Sequence, residues 1–236
     1  MTGKISSVFF DHGGTLFDYY PSNSVIWTKI AKRLGVTITP DDPRIQRGLR
    51  TQIQEFDKID KDFRELSEDE LHKLNCSVLK AMGVDTEGSF EIVNEEFNTR
   101  EQGRLFQIYP EAADTLRRIK QKGIKIGLIS NIEMELVPKR RQSLQQHRIH
   151  QYFDAIILSA EVNAWKPDKE IFEIALRKIG ERNPAQAIHV GDSLRADVMG
   201  ARNAGLIPVL FDPLNLRSVE NVITIRALSE ILEYLD

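Results

Sequence analysis

Four short stretches carry the side chains best suited to chemistry. "FFDHGGTLFD" (9–18) ends an apolar run on Asp11 and follows it with His12 and two glycines, and "GLISN" (127–131) ends on Ser130 and Asn131. "WKPDKEIF" (165–172) supplies Lys166, and "HVGDSLRADVMGARNAGL" (189–206) supplies Asp192 and Asp197. Carboxylates, a hydroxyl and a lysine gathered in one place can attack an electrophile, neutralise charge and hold a hard cation. Singly, each has an ordinary structural reading. Asp before Gly forms turns, Asp192 can cap a helix, and Ser130 can cap one starting near Ile132. Lys166 can be a solvated loop lysine, and Asp197 can pair with Arg195 or Arg202 on its own helix. Their shared placement at strand ends decides for an active site.

That placement follows from the apolar pattern. "ISSVFF" (5–10), "IKIGLIS" (124–130), "AIILSA" (155–160), "AIHV" (187–190) and "IPVLF" (207–211) read as strands. Several are almost continuously apolar, as strands covered on both faces must be. Helical patterns separate the later ones. "EAADTLRRIKQKG" follows Pro110 and stops at Gly123, "DKEIFEIALRKIG" stops at Gly180, and "LRADVMGARNAG" stops at Gly205. "ALSEILEYL" spaces Leu228, Ile231, Leu232 and Leu235 as a helix. Alternating strands and helices predict an α/β core with a doubly wound parallel sheet. In such sheets ligands sit beyond the carboxyl ends of the strands. Those ends carry Asp11, Ser130–Asn131, Glu161 with the nearby Lys166, and Asp192.

Residues 17–104 break the rhythm with helical patterns and no convincing strand. "SEDELHKLNCSVLKAMG" opens with a Ser67–Glu70 capping box, places Leu71, Leu74, Val78 and Met82 on one face, and stops at Gly83. Trp27, Ile26 and Ile30 read as packing residues of the same block. The expected organisation is a core of residues 1–16 and 105–236 with a helical cap, 17–104, inserted after the first strand.

Composition narrows the partners. With 32 basic and 35 acidic residues the net charge is −3, which argues against a general nucleic-acid surface. The short basic run "PKRRQ" (138–142) reads as a solvated helical face. A single cysteine, Cys76, cannot form an internal disulfide and fits a reducing compartment. No stretch approaches the roughly 18 apolar residues of a membrane helix, and the N-terminus lacks a signal-peptide apolar region. A cytoplasmic protein without membrane or nucleic-acid partners is expected.

Taken in order, the four stretches resemble the motifs of the haloacid dehalogenase-like hydrolase superfamily over essentially the whole chain. The helical insertion is similar to that superfamily's first cap type. The resemblance implies a Rossmann-like core, a cap that closes over substrate to exclude water, and Mg²⁺-dependent hydrolysis of a small phosphorylated metabolite by a monomer or homodimer. By the same resemblance, Asp11 is the nucleophile and forms an aspartyl-phosphate. Asp11, the carbonyl of Gly13 and Asp192 bind Mg²⁺, while Asp197 orients the metal's water shell or the lysine. Ser130 and the Asn131 backbone amide hold a phosphate oxygen, and Lys166 neutralises charge on the transferring group.

The departure is Gly13. Phosphatases of the superfamily usually carry there a second aspartate, which protonates the leaving group and then activates water; such help is worth about 10²–10⁴-fold. Glycine keeps the metal-binding carbonyl and loses the acid. One explanation is a phosphatase working on good leaving groups or borrowing a donor. His12 points to the opposite face of its strand and reads as a surface or packing histidine; Tyr19, Tyr20 and His72 are vaguer donors. A second is a phosphonate hydrolase using an imine on Lys58 or Lys61, or a dehalogenase-type enzyme, although dehalogenases do not need the acid pair of "GDSLRAD". A third is a binding protein with weakened catalysis. "HRIH" (147–150) reads as structural or surface, and no glycine-rich dinucleotide signature is present.

Overall fold

The computed structural model describes residues 4–59, 67–102, 105–217 and 219–235. In chain order the strands are β1 (Ser7–Phe10), β2 (Phe17–Tyr20), β3 (Leu105–Ile108), β4 (Lys125–Ser130), β5 (Ala155–Leu158), β6 (Ala187–Gly191), β7 (Ile207–Phe211) and β8 (Ile223–Ile225). The α-helices are α1 (Asn23–Arg33), α2 (Pro43–Ile59), α3 (Glu68–Met82), α4 (Ser89–Gln102), α5 (Ala112–Gln121), α6 (Val137–Gln146), α7 (Ser159–Val162), α8 (Lys169–Ile179) and α9 (Gly200–Asn203). The chain divides into two compact units, one of residues 1–18, 106–215 and 219–236, the other of residues 19–105 and 216–218.

The first unit is built on a six-stranded sheet in the order β5-β4-β1-β6-β7-β8, and its paired neighbours all run parallel. Alternation along β1 fills both faces. Val8 and Phe10 enter an apolar layer with Leu116 and Ile119 of α5, Leu144 of α6, and Leu228 and Ile231 near the C-terminus. Phe9 enters the opposite layer with Ile171, Phe172 and Ala175 of α8. All three β1 side chains are fully buried, each contributing about 1.5–3 kcal/mol by leaving water. This is the doubly wound α/β architecture.

Three strands escape the apolar pattern. β2 and β3 form a separate two-stranded sheet, and β8 extends the main sheet at its edge. "FDYY" has only Phe17 buried, and "ITI" only Ile225, so neither has the apolar run that marks a central strand. Two predicted helices also wind differently. Leu194–Met199 forms a wide π-helical turn before α9, and Leu228–Tyr234 tightens into a 3₁₀ helix.

The second unit is helical. Trp27, Ile26 and Ile30 of α1, Ile45 and Leu49 of α2, Leu74, Val78, Leu79 and Met82 of α3, and Val93 of α4 share its core. The capping box of α3 forms as expected: the Glu70 amide donates to the Ser67 hydroxyl, and the Ser67 amide donates to the Glu70 carboxylate. Leu71 departs from the expected apolar face. It is exposed, and Asn75, one turn on, is buried instead.

Candidate active site

Sheet register brings the expected side chains together. Phe10 lies level with Leu128 of β4 and Val190 of β6, so Asp11, Ser130 and Asp192 follow at the carboxyl ends of three adjacent strands. The Asp11 amide donates to the Val190 carbonyl at 2.9 Å, fixing the backbone from which its carboxylate projects.

Lys166 is the centre of the arrangement. Its buried Nζ donates to Asp11 Oδ1 at 2.5 Å and to Asp197 Oδ1 at 2.7 Å. The loop that carries it is clamped by Asn131, whose side chain donates to the Lys166 carbonyl at 2.9 Å and accepts from the Lys166 amide at 2.8 Å. Asp197 is in turn held from both oxygens: besides Lys166 it accepts from His189 Nε2 at 2.8 Å and from the Ser193 amide at 3.0 Å. Gly191 makes room for it, since a Cβ there would stand 2.1 Å from the Asp197 carboxyl carbon. Burial alone would discharge Lys166, but the facing Asp11 and Asp197 outweigh it and hold the ammonium well above its usual pKa. Burial likewise favours the acid form of Asp197, yet Lys166 and His189 overturn that and keep it a carboxylate. Asp11 has fewer donors. Burial raises its pKa, and Lys166 opposes the rise only in part.

Asp192 completes the acidic side. Thr15 Oγ1 donates to its Oδ1 at 3.3 Å, and Gly14 lies against it at φ +82°, where any Cβ would come within 2.4 Å of the carboxylate. Carboxylate oxygens of Asp11, Asp192 and Asp197 lie within 4.8 Å of one another. Hard oxygen donors this close suit a divalent cation such as Mg²⁺.

His12 lies in the turn after β1 and is buried packing, one of the two roles expected for it. It stacks on Phe17 at 4.2 Å and meets Phe106 edge-on at 5.1 Å. Arg140 donates to its Nδ1, so Nε2 carries the proton and donates to Ser143 Oγ at 3.1 Å; that hydroxyl donates to the Arg140 carbonyl. Burial, reinforced by Arg140, lowers the His12 pKa well below 6.5. Below pH 6.5 the unfolded chain therefore binds a proton the folded chain refuses, and stability falls as pH falls. The His12 share of that slope approaches about 1.4 kcal/mol per pH unit only well below pH 6.5 and sums to about 1.4 kcal/mol between pH 7.5 and 5.5. Denaturant melts between pH 7.5 and about 5.5 should show it in the wild type and not in His12→Phe, which keeps the ring stack; equal slopes would refute the assignment.

Other expected residues take different places. Ser130 is buried at the end of β4, its hydroxyl 3.4 Å from the Asn131 carbonyl. Glu161 does not join the cluster; Arg141 holds it at 2.8 Å. The run "PKRRQ" is only partly a solvated face, because Arg140 turns in to His12 and lies over Phe106. Lys58 is exposed and paired with Glu55 at 2.8 Å, and Lys61 lies outside the described residues. His72 packs edge-on against Phe90 beside Cys76. Sequence reasoning missed His189 and the Asn131 side chain. A histidine inside the apolar strand "AIHV" was the available signal, since a buried ring nitrogen needs a partner.

Among the described residues, no helix is long and apolar enough to cross a membrane. A family profile described as haloacid dehalogenase-like hydrolase matches residues 5–205. The glyceraldehyde 3-phosphate phosphatase of Methanothermobacter thermautotrophicus is 26% identical over 221 residues, spanning 87% of this chain and 85% of its own. Among solved structures, a HAD phosphatase from Thermococcus onnurineus matches at a TM-score of 0.56 and 25% identity, over 98% of both chains. The HAD-hydrolase YfnB of Bacillus subtilis, solved bound to magnesium, matches in fold at a TM-score of 0.64 and 18% identity, over 99% of this chain and 100% of that one.

Proposed function

The chain belongs to the haloacid dehalogenase-like hydrolase family, and from that premise we propose that it hydrolyses a small phosphate monoester through a phosphoaspartate on Asp11. The observation that carries this reading is the buried ammonium of Lys166 shared between Asp11 and Asp197, with Asp192 beside them. An Asp11 carboxylate oxygen attacks phosphorus, and the bond from phosphorus to the ester oxygen breaks, with its electron pair leaving on that oxygen. Water then attacks the phosphorus of the acyl phosphate, releasing inorganic phosphate and restoring the carboxylate. Lys166 offsets negative charge on the nucleophile and on the transferring group, while Asn131 and Asp197 hold the lysine in place. Ser130 and the Asn131 amide would bind a phosphate oxygen.

Asp11, the Gly13 carbonyl and Asp192 would hold Mg²⁺. Asp197, oriented by Lys166, His189 and Ser193, would contribute charge and help set the ion's surroundings. When bound, the ion would supply positive charge to offset the negative charge that develops on the phosphoryl oxygens.

The exposed, paired state of Lys58 gives no support to an imine mechanism on phosphonates. The reading is tested with p-nitrophenyl phosphate, whose leaving group needs little protonation: phosphate release should require Mg²⁺ and stop with a chelator. No release at any metal concentration would overturn it. Gly13→Asp should then raise the rate on alkyl phosphates by up to about 10²–10⁴-fold and on the aryl ester far less. Equal gains on both would show that leaving-group protonation is not what the chain lacks.

A further inference from the structure

The helical unit contains a cavity of about 250 Å³ lined by Gln52 of α2, Leu71 and Asn75 of α3, and Asn94, Phe97 and Asn98 of α4. Four of the six carry carboxamides, and none is charged. Asn75 is only 5% exposed, and no hydrogen bond to its side chain is found among the described residues. Its amide atoms are not sealed off from solvent, so they face the open space of the cavity, where a ligand can reach them. Asn94 and Asn98 stand one helical turn apart on one face of α4. Gln52 spends its carbonyl on Trp27 Nε1, at 3.1 Å, which leaves its amide hydrogens for the cavity. Phe97, held edge-on against Trp27 with centroids 5.4 Å apart, forms the apolar wall.

We infer that this cavity is a binding site for an uncharged, flat ring bearing an amide or lactam edge. A carboxamide offers donor and acceptor side by side, which matches such an edge in a two-bond pair, and an aromatic wall suits a planar ring. A charged ligand would find no counter-ion among the lining side chains. The volume falls below the ~300–1,000 Å³ of sites for drug-sized molecules, so one ring system fits. The inference goes beyond the hydrolytic reading and is tested without turnover.

Uracil and nicotinamide, with benzoate as the charged control, are titrated calorimetrically into the full-length protein. Saturable binding of uracil or nicotinamide, with benzoate weaker, is expected. Asn75→Leu should weaken binding about tenfold or more, the loss of one good hydrogen-bonded pair, while its thermal midpoint equals or exceeds that of the wild type. Asn94→Leu, at a less enclosed position, repeats the test should Asn75→Leu misfold. Absence of saturable binding by both rings, or undiminished binding in both variants, overturns the site. Kinetics with uridine monophosphate separate the two sources of such a ring. A KM raised about tenfold in Asn75→Leu assigns the ring to the substrate, and an unchanged KM with lost uracil binding assigns it to a second molecule.

Discussion

Asp11→Asn is expected to lower turnover of p-nitrophenyl phosphate by on the order of 10⁴-fold or more, the scale on which loss of a nucleophile is felt. The substitution keeps size and a hydrogen-bond acceptor for Lys166, and removes the anionic oxygen that attacks phosphorus in the proposed reaction. The fold should persist, because the Asp11 backbone is held by Val190 and burial already disfavours the carboxylate charge. The check is a single-turnover assay alongside a thermal melt. A variant that melts normally and retains activity within about tenfold of the wild type would move the nucleophile elsewhere.

Lys166→Met should damage both rate and stability. Methionine fills the length of the side chain but leaves Asp11 and Asp197 facing each other without their shared cation. Breaking a buried ion pair by removing one partner costs about 3–5 kcal/mol. Loss of a preorganised charge from the reacting centre costs about 10²–10³-fold in rate. Arginine should not rescue, since its planar, branched head does not replace a compact ammonium lodged between two carboxylates. Urea denaturation and steady-state rates on the two variants decide the point. A Lys166→Met protein as stable as the wild type would mean that the two acids are not held by this lysine.

The core of this arrangement was legible because it rests on strong local signals. Apolar runs end at Phe10, Ser130 and Val190, and a polar side chain follows or closes each one, so the parallel-sheet rule alone converges Asp11, Ser130 and Asp192. Lys166 could be placed near them by its distance from β5, but not between two acids, because that depends on the Asn131 clamp across the sheet. Glu161 sits at a strand end like the others, yet the short α7 carries it to Arg141. Strand-end position is therefore permissive rather than sufficient. β2, β3 and β8 were hidden because strands of three or four residues with little burial carry no periodicity to read. On α3 the spacing found the right helix and the wrong rotation at its start: Leu71 is exposed while Asn75 is buried. Periodicity reports a face, and the neighbouring helices decide which part of it is covered.

The central claim is a covalent bond between phosphorus and residue 11, and peptide mapping tests it most directly. Enzyme mixed with p-nitrophenyl phosphate and Mg²⁺, acid-quenched within a turnover and reduced with borohydride, should yield a peptide in which Asp11 alone has become homoserine. Reduction at another carboxylate, or none despite rapid phosphate release, would contradict the account.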